Sequence, residues 1–159
     1  LAGPGGQVVT APSDPCRHRL VQCQPVSCTS ITSTAPHISA TGCGDDGLVV
    51  LAAALPALTR LRRLDCNDNP AVGARGWEAL VGALPSLPSL EQLIASGCTG
   101  MGSDGAAALA AVIPQCPRLR DIYVISCGLD EQAKAALRAA ADRGPRSAER
   151  PHGVLEIDA

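Results

Sequence analysis

The sequence predicts an α/β fold in which a strand–helix unit is repeated and stacked, and three observations carry that prediction. The first is a fixed period: Leu61, Leu90 and Leu119 recur at intervals of 29 residues, Asn69, Cys98 and Cys127 keep the same interval, and so do Gly76 and Gly105. A period of this length marks a repeat architecture. The second is a change of spacing inside each unit. Leu61-x-x-Leu64-x-Cys66 alternates with period two, as a short half-buried strand does, whereas Gly76-x-x-x-Leu80-x-x-x-Leu84 has helical spacing. The third is composition: 46% of the 159 residues are hydrophobic, with one Trp, one Tyr and no Phe. Leu, Ala, Val, Ile and Cys must then fill the core, which suits thin slabs. Neither the strand nor the helix of one unit buries its apolar face alone. Stacking neighbours produces a short parallel sheet with helices outside it.

The second unit reads Leu61-x-x-Leu64-x-Cys66-x-x-Asn69, then Gly76 and Leu80-x-x-x-Leu84; the third reads Leu90-x-x-Leu93-x-Ala95-x-x-Cys98, then Gly105 and Leu109-x-x-x-Ile113. This pattern, L-x-x-L-x-L-x-x-[N/C] followed by Gly and L-x-x-x-[L/I], resembles the leucine-rich repeat, specifically the long ribonuclease-inhibitor-like subtype. The resemblance implies a leucine-rich-repeat solenoid with the short parallel sheet on the concave side and helices on the convex side. It also implies a role in binding other proteins, since the family includes inhibitors, immune sensor modules and activators of small GTPases.

Taken in order, residues 1–15 carry Gly3, Pro4, Gly5, Gly6, Pro12 and Pro15 and read as an irregular leader. Residues 16–34 fit the strand template loosely, with Pro25 at an inward position, and read as an N-terminal cap over the first slab. Residues 35–143 hold four repeats. The first, from Ala35, is shortened to 26 residues, and Asp45 or Asp46 is placed to cap its helix. The fourth runs from Leu119, opens its helix at Asp130, and replaces the recurrent Gly around Ala133 to Lys134. Residues 144–159 form a polar tail ending in a closing strand, Leu155-Glu156-Ile157. That end leaves an open edge, which suggests a partner's cap or a longer parent chain. The start at Leu1 without Met suggests a processed form or a fragment.

Several function classes are disfavoured. Net charge is −2, from 13 basic and 15 acidic residues, and no basic run is interleaved with aromatics, so nucleic acid is a poor partner. The most apolar stretch, Gly47 to Leu61, is interrupted by Pro56 and Arg60 and falls short of the ~20 residues a membrane helix needs, so no membrane insertion is expected. Of the eight cysteines, Cys98 and Cys127 stand where the repeat has Asn69, Cys66 takes an inward strand position, and Cys43 falls on the turn position of the shortened repeat. Buried reduced thiols are the expectation, and with them a reducing intracellular compartment, or an organelle if the N-terminus is processed. Cys16, Cys23 and Cys28 remain as the metal or disulfide candidates, without a C-x-x-C pair.

Gly100 to Gly105 spells G-x-G-x-x-G, with Asp121 downstream, as in a dinucleotide fingerprint. Gly105 is nevertheless the recurrent Gly of Gly47 and Gly76, and the preceding strand is too short, so no cofactor is expected. His18, His37 and His152 are scattered and no nucleophile elbow occurs, so neither catalytic nor metal-binding residues are assigned and the protein is read as no enzyme. Trp77, in the first turn of its helix, reads as cover for the groove between helices, with a partner anchor as the alternative.

Function then falls to exposed surface. Residues alternating with the inward Leu positions form three columns: His37, Arg63, Gln92, Asp121; Ser39, Asp65, Ile94, Tyr123; and Thr41, Asn67, Ser96, Ile125. Ile94, Tyr123 and Ile125 are apolar where solvent-facing positions should be polar. With Arg63, Asp65 and Asp121 as a charged rim, they suit a protein-docking patch; the competing expectation is that residues 144–159 fold back over this edge. The expected function is a non-enzymatic protein-binding module with Tyr123, Ile94 and Ile125 as anchors. Two other classes stay open: a structural accessory subunit of a large multi-protein assembly, and third, an activator of a small GTPase.

Overall fold

The computed structural model describes residues 38–143 and 154–157. The leader, the N-terminal cap, Cys16, Cys23, Cys28, His18, His37 and His152 lie outside the described residues, as do tail residues 144–153, 158 and 159. In chain order the elements are α1 (Asp45–Ala54), β1 (Arg63–Asp65), α2 (Ala74–Ala83), β2 (Gln92–Ile94), α3 (Gly102–Val112), β3 (Asp121–Val124), α4 (Glu131–Arg143) and β4 (Leu155–Ile157). The strands form one sheet in the order β1-β2-β3-β4, every neighbour parallel. Over the described residues the fold is therefore α/β, with four helices and a short parallel four-stranded sheet.

The sequence period becomes the strand register. Arg63 pairs with Gln92 and Gln92 with Asp121; Leu64, Leu93 and Ile122 line up beside them, followed by Leu155. Leu64, Leu93 and Ile122 turn toward the helices and are buried, as are Leu61, Leu90 and Leu119 just before the strands and Cys66, Ala95 and Val124 after their first inward residue. On the β1 side the pattern continues: the Ile38 and Ala40 amides donate to the carbonyls of Asp65 and Asn67, both at 2.9 Å.

Helices α1, α2 and α3 end for the same reason. Leu55-Pro56, Leu84-Pro85 and Ile113-Pro114 convert the last turn to a short 3-10 segment, because proline has no amide to continue the α-helical ladder. The amides of Leu58, Leu87 and Cys116 then close that turn on the carbonyls of Leu55, Leu84 and Ile113 at 2.8, 3.0 and 3.1 Å. Cys116 thus stands at the position of Leu87, and it is fully buried.

The helices bury stripes at helical spacing: Gly76, Trp77, Leu80 and Val81 on α2; Gly105, Ala106 and Leu109 on α3; Ala133, Leu137, Ala140 and Ala141 on α4. A fully buried Leu contributes about 2 kcal/mol, so these stripes hold the layers together. The recurrent glycine is a close-packing device. A Cβ on Gly105 would lie 2.8 Å from Met101 Cγ and 3.4 Å from Trp77 Cβ. At the equivalent position α4 carries Lys134, whose stem is buried while its ammonium pairs with Glu131 Oε1 at 2.9 Å. Trp77 is fully buried between neighbouring helices, which removes it as a surface anchor.

The capping of α1 differs from the expectation. Gly44 is its N-cap, and no side chain caps it. Asp45 instead reaches the start of the next helix, its Oδ1 accepting the Gly73 amide at 2.6 Å and the Gly76 amide at 3.2 Å. From the first turn of α1 the carboxylate projects sideways toward the orphan amides of α2, which need an acceptor as much as its own helix does. Asp46 pairs with Arg75 at 3.2 Å, also across the two helices. At α4, Asp130 does cap its own helix, accepting the Ala133 amide at 2.7 Å, and Ser103 Oγ accepts the Asp130 amide at 3.2 Å.

Candidate functional site

The sheet face turned away from the helices gathers the residues read from the sequence. Strand register sets Asp65, Ile94, Tyr123 and Glu156 in one row and Arg63, Gln92 and Asp121 in the row before it. Asn67, Ser96 and Ile125 follow two residues further on, where successive chains leave the strands in step: the Asp68 amide bonds the Ser96 carbonyl at 2.9 Å and the Gly97 amide the Ile125 carbonyl at 2.8 Å.

The charged rim is more committed than the sequence implies. Asp65, expected as an exposed charge, is only 5% exposed. The Ser39 hydroxyl donates to its Oδ1, the Asn67 amide donates to the same oxygen at 3.3 Å, and Arg63 Nη2 lies 3.2 Å from Oδ2. A carboxylate so supplied with donors is stabilised within its own fold and carries little outward field. Arg63 spends its charge on that pair, and its Nε is buried without a hydrogen-bond partner among the described residues. Asp121 accepts the Val154 amide at 3.2 Å and pairs with Arg120 Nε at 3.5 Å, so this acid secures the start of β4. Just ahead of the strands, Arg62, Glu91 and Arg120 form an alternating row, with pairs at 3.9 and 3.1 Å.

The polar residues past the strands are likewise engaged. Asn67 Oδ1 accepts the Ser96 amide at 2.8 Å, and Ser96 Oγ accepts the Ile125 amide at 3.3 Å. Each side chain thus ties down the backbone of the next unit. Ile125 offers no acceptor, and the series stops there.

With Asp65, Asn67, Ser96 and Asp121 engaged, the face leaves an apolar cluster uncommitted. Ile94, Tyr123 and Ile125 sit on the last two units, partly exposed, and none belongs to the packed core, whereas Leu155 and Ile157 of β4 pack against that core. Residues 154–157 lie beside β3 in the plane of the sheet, so they widen this face and do not cross it. Glu156 joins this row only through the pairing of β4 with β3. It follows Tyr123 by 33 residues, not 29, and so no repeat signal could place it in this row.

The other candidate chemistries resolve into packing. Within Gly100 to Gly105, a Cβ on Gly100 would collide with the Val72 carbonyl oxygen, Gly102 has φ +56°, and Gly105 meets Met101 and Trp77. Each glycine has a local reason that involves no ligand. Cys66, Cys98 and Cys116 are free buried thiols. Burial pushes the Cys66 thiol well up, with Cys98, Asp65 and Cys43 adding to it, and pushes Cys116 up to about 11. Cys98 Sγ donates to the Cys66 carbonyl at 3.2 Å and Cys127 Sγ to the Ala95 carbonyl at 2.9 Å, so both work as turn donors in the place of Asn69. Among the described residues no group of three or more His, Cys, Asp or Glu is arranged to hold a metal ion, and no helix is long and apolar enough to cross a membrane. Set against known proteins, the chain matches no family model, and no curated protein matches its sequence.

Proposed function

We propose that this chain is a ribonuclease-inhibitor-like leucine-rich-repeat arc that works, without catalysis, by docking another protein on the sheet face opposite its helices. The observation that carries the reading is the cluster of Ile94, Tyr123 and Ile125, apolar and partly exposed on a face where Asp65, Asn67, Ser96 and Asp121 are tied up within the fold. The 29-residue strand register supports the repeat assignment, since equivalent residues of successive units are paired side by side. A rigid sheet presents the three anchors at fixed spacing, and little ordering cost is left for the bound state. Tyr123 supplies the largest contact area, Ile94 and Ile125 flank it, and Arg63 and Asp121 border it.

A second reading, a structural subunit of a larger assembly, is favoured by Val50, which is 70% exposed on α1 on the helical side. The two readings separate in one quantitative capture experiment from source cells, using wild type, Ile94→Ala/Tyr123→Ala and Val50→Asp, each first checked for folding. A partner lost with the sheet-face pair and retained by the α1 variant supports docking on the sheet. Loss of an apolar anchor weakens such a contact by about 1–3 kcal/mol, enough to remove it from the eluate. The opposite pattern replaces this reading with the subunit one.

A further inference from the structure

The row across the four strands reads Asp65, Ile94, Tyr123, Glu156, with neighbours about 4.8 Å apart. Its two acidic ends differ. Asp65 is buried and faced by Arg63 at 3.2 Å, so its charge is balanced. Glu156 is exposed and makes no ion pair among the described residues. The other acids bordering the patch are matched: Asp121 by Arg120, and Glu91 by Arg62 and Arg120. Among the described residues, the uncompensated charge beside the apolar cluster is therefore negative, and it stands next to an aromatic ring.

We propose that the segment docking here is a basic peptide of a partner protein, presenting an Arg or Lys directly beside an aliphatic or aromatic side chain. The apolar side chain fills the space over Ile94 and Ile125. The cation lies on the Tyr123 ring and reaches the Glu156 carboxylate, so one group gains both a cation–π contact and an ion pair. An acidic segment of the same shape would set like charges side by side at Glu156, and the row discriminates against it. This inference rests on the sheet-face docking reading, and its test separates the two.

The probe is a random peptide display library selected on the immobilised full chain, followed by synthesis of the enriched peptides and fluorescence anisotropy with wild type, Glu156→Gln and Ile94→Ala/Tyr123→Ala. Glu156→Gln keeps the size and hydrogen bonding of the exposed side chain, so β4 is preserved. The expected result is enrichment of Arg or Lys next to an apolar residue, affinity about fivefold weaker with Glu156→Gln, as one partly exposed charge pair is worth, and loss of binding with the double variant. Peptides that need Ile94 and Tyr123 but are neutral or acidic, or bind Glu156→Gln as well as wild type, overturn the charge assignment and leave the docking face standing. Peptides indifferent to every variant, or no enriched peptide at all, overturn the docking face and this inference with it.

Discussion

Replacing Asn69 by Ala removes the side chain that satisfies the turn after β1. Asn69 is fully buried. Its Nδ2 donates to the carbonyls of Ile38 at 2.9 Å and of Cys66 and Asn67 at 3.0 Å, and its Oδ1 accepts the Cys43 amide at 3.3 Å and the Thr41 hydroxyl at 3.4 Å. Two amide hydrogens serve three carbonyls, so one hydrogen is shared. Counting about 1 kcal/mol for each hydrogen and about 1–2 kcal/mol for the Cys43 amide left buried without this acceptor, the substitution costs about 3–4 kcal/mol. With a urea slope of about 1.5–2 kcal/mol/M, the unfolding midpoint followed by circular dichroism falls by about 2 M. Asn69→Cys should cost less than Asn69→Ala, because Cys98 and Cys127 show that a thiol at this position still donates to a carbonyl of the preceding unit. A midpoint shift under about 0.5 M for the alanine variant would refute the reasoning, since the turn would then be satisfied without the side chain.

Gly76→Ala gains helix propensity but places a Cβ 2.8 Å from Val72 Cγ1 and Asp45 Oδ1 and 3.0 Å from Asp45 Cα; the clash should outweigh the gain and destabilise by about 1–2 kcal/mol in thermal melts. The helix-capping bond from the Ala133 amide, helped by Ser103, holds the Asp130 carboxyl below its ordinary value. Its stabilisation is therefore fully present above the unfolded value of about 3.9 and is lost as the pH falls from there through the lowered folded value; urea midpoints measured across that range should drop less steeply for Asp130→Asn than for wild type. Cys66, Cys98 and Cys116 should resist alkylation in the native state at pH 8 and react on unfolding, as read by mass spectrometry, because burial raises all three thiols; rapid native labelling would contradict their placement.

The parallel sheet backed by helices was legible because both of its causes are local and periodic. Leu61, Leu64 and Cys66 alternate, Gly76, Leu80 and Leu84 follow helical spacing, and their 29-residue recurrence becomes the side-by-side register of β1, β2 and β3. The same count assigned Ile94 and Tyr123 to the face opposite Leu93 and Ile122, where they lie partly exposed. Cys116 escaped because its significance depends on the proline-ended turn after α3, a feature with period 29 but outside the strand and helix templates.

The sequence by itself determined the repeat, the order of strand and helix, and which side chains alternate between core and face, since these follow from spacing along one chain. Only the tertiary structure decided how neighbouring units use one another's polar groups. Asp45 serves the helix after its own, Asp65 is buried among Ser39, Arg63 and Asn67, and Asp121 receives the start of β4. Asn67 and Ser96 are spent on the backbone of the next unit. An acid or amide looks the same in sequence whether it faces water or a neighbour's amide. The outcome is set by which orphan donors the stacked unit brings within about 3 Å, and burial makes meeting them obligatory.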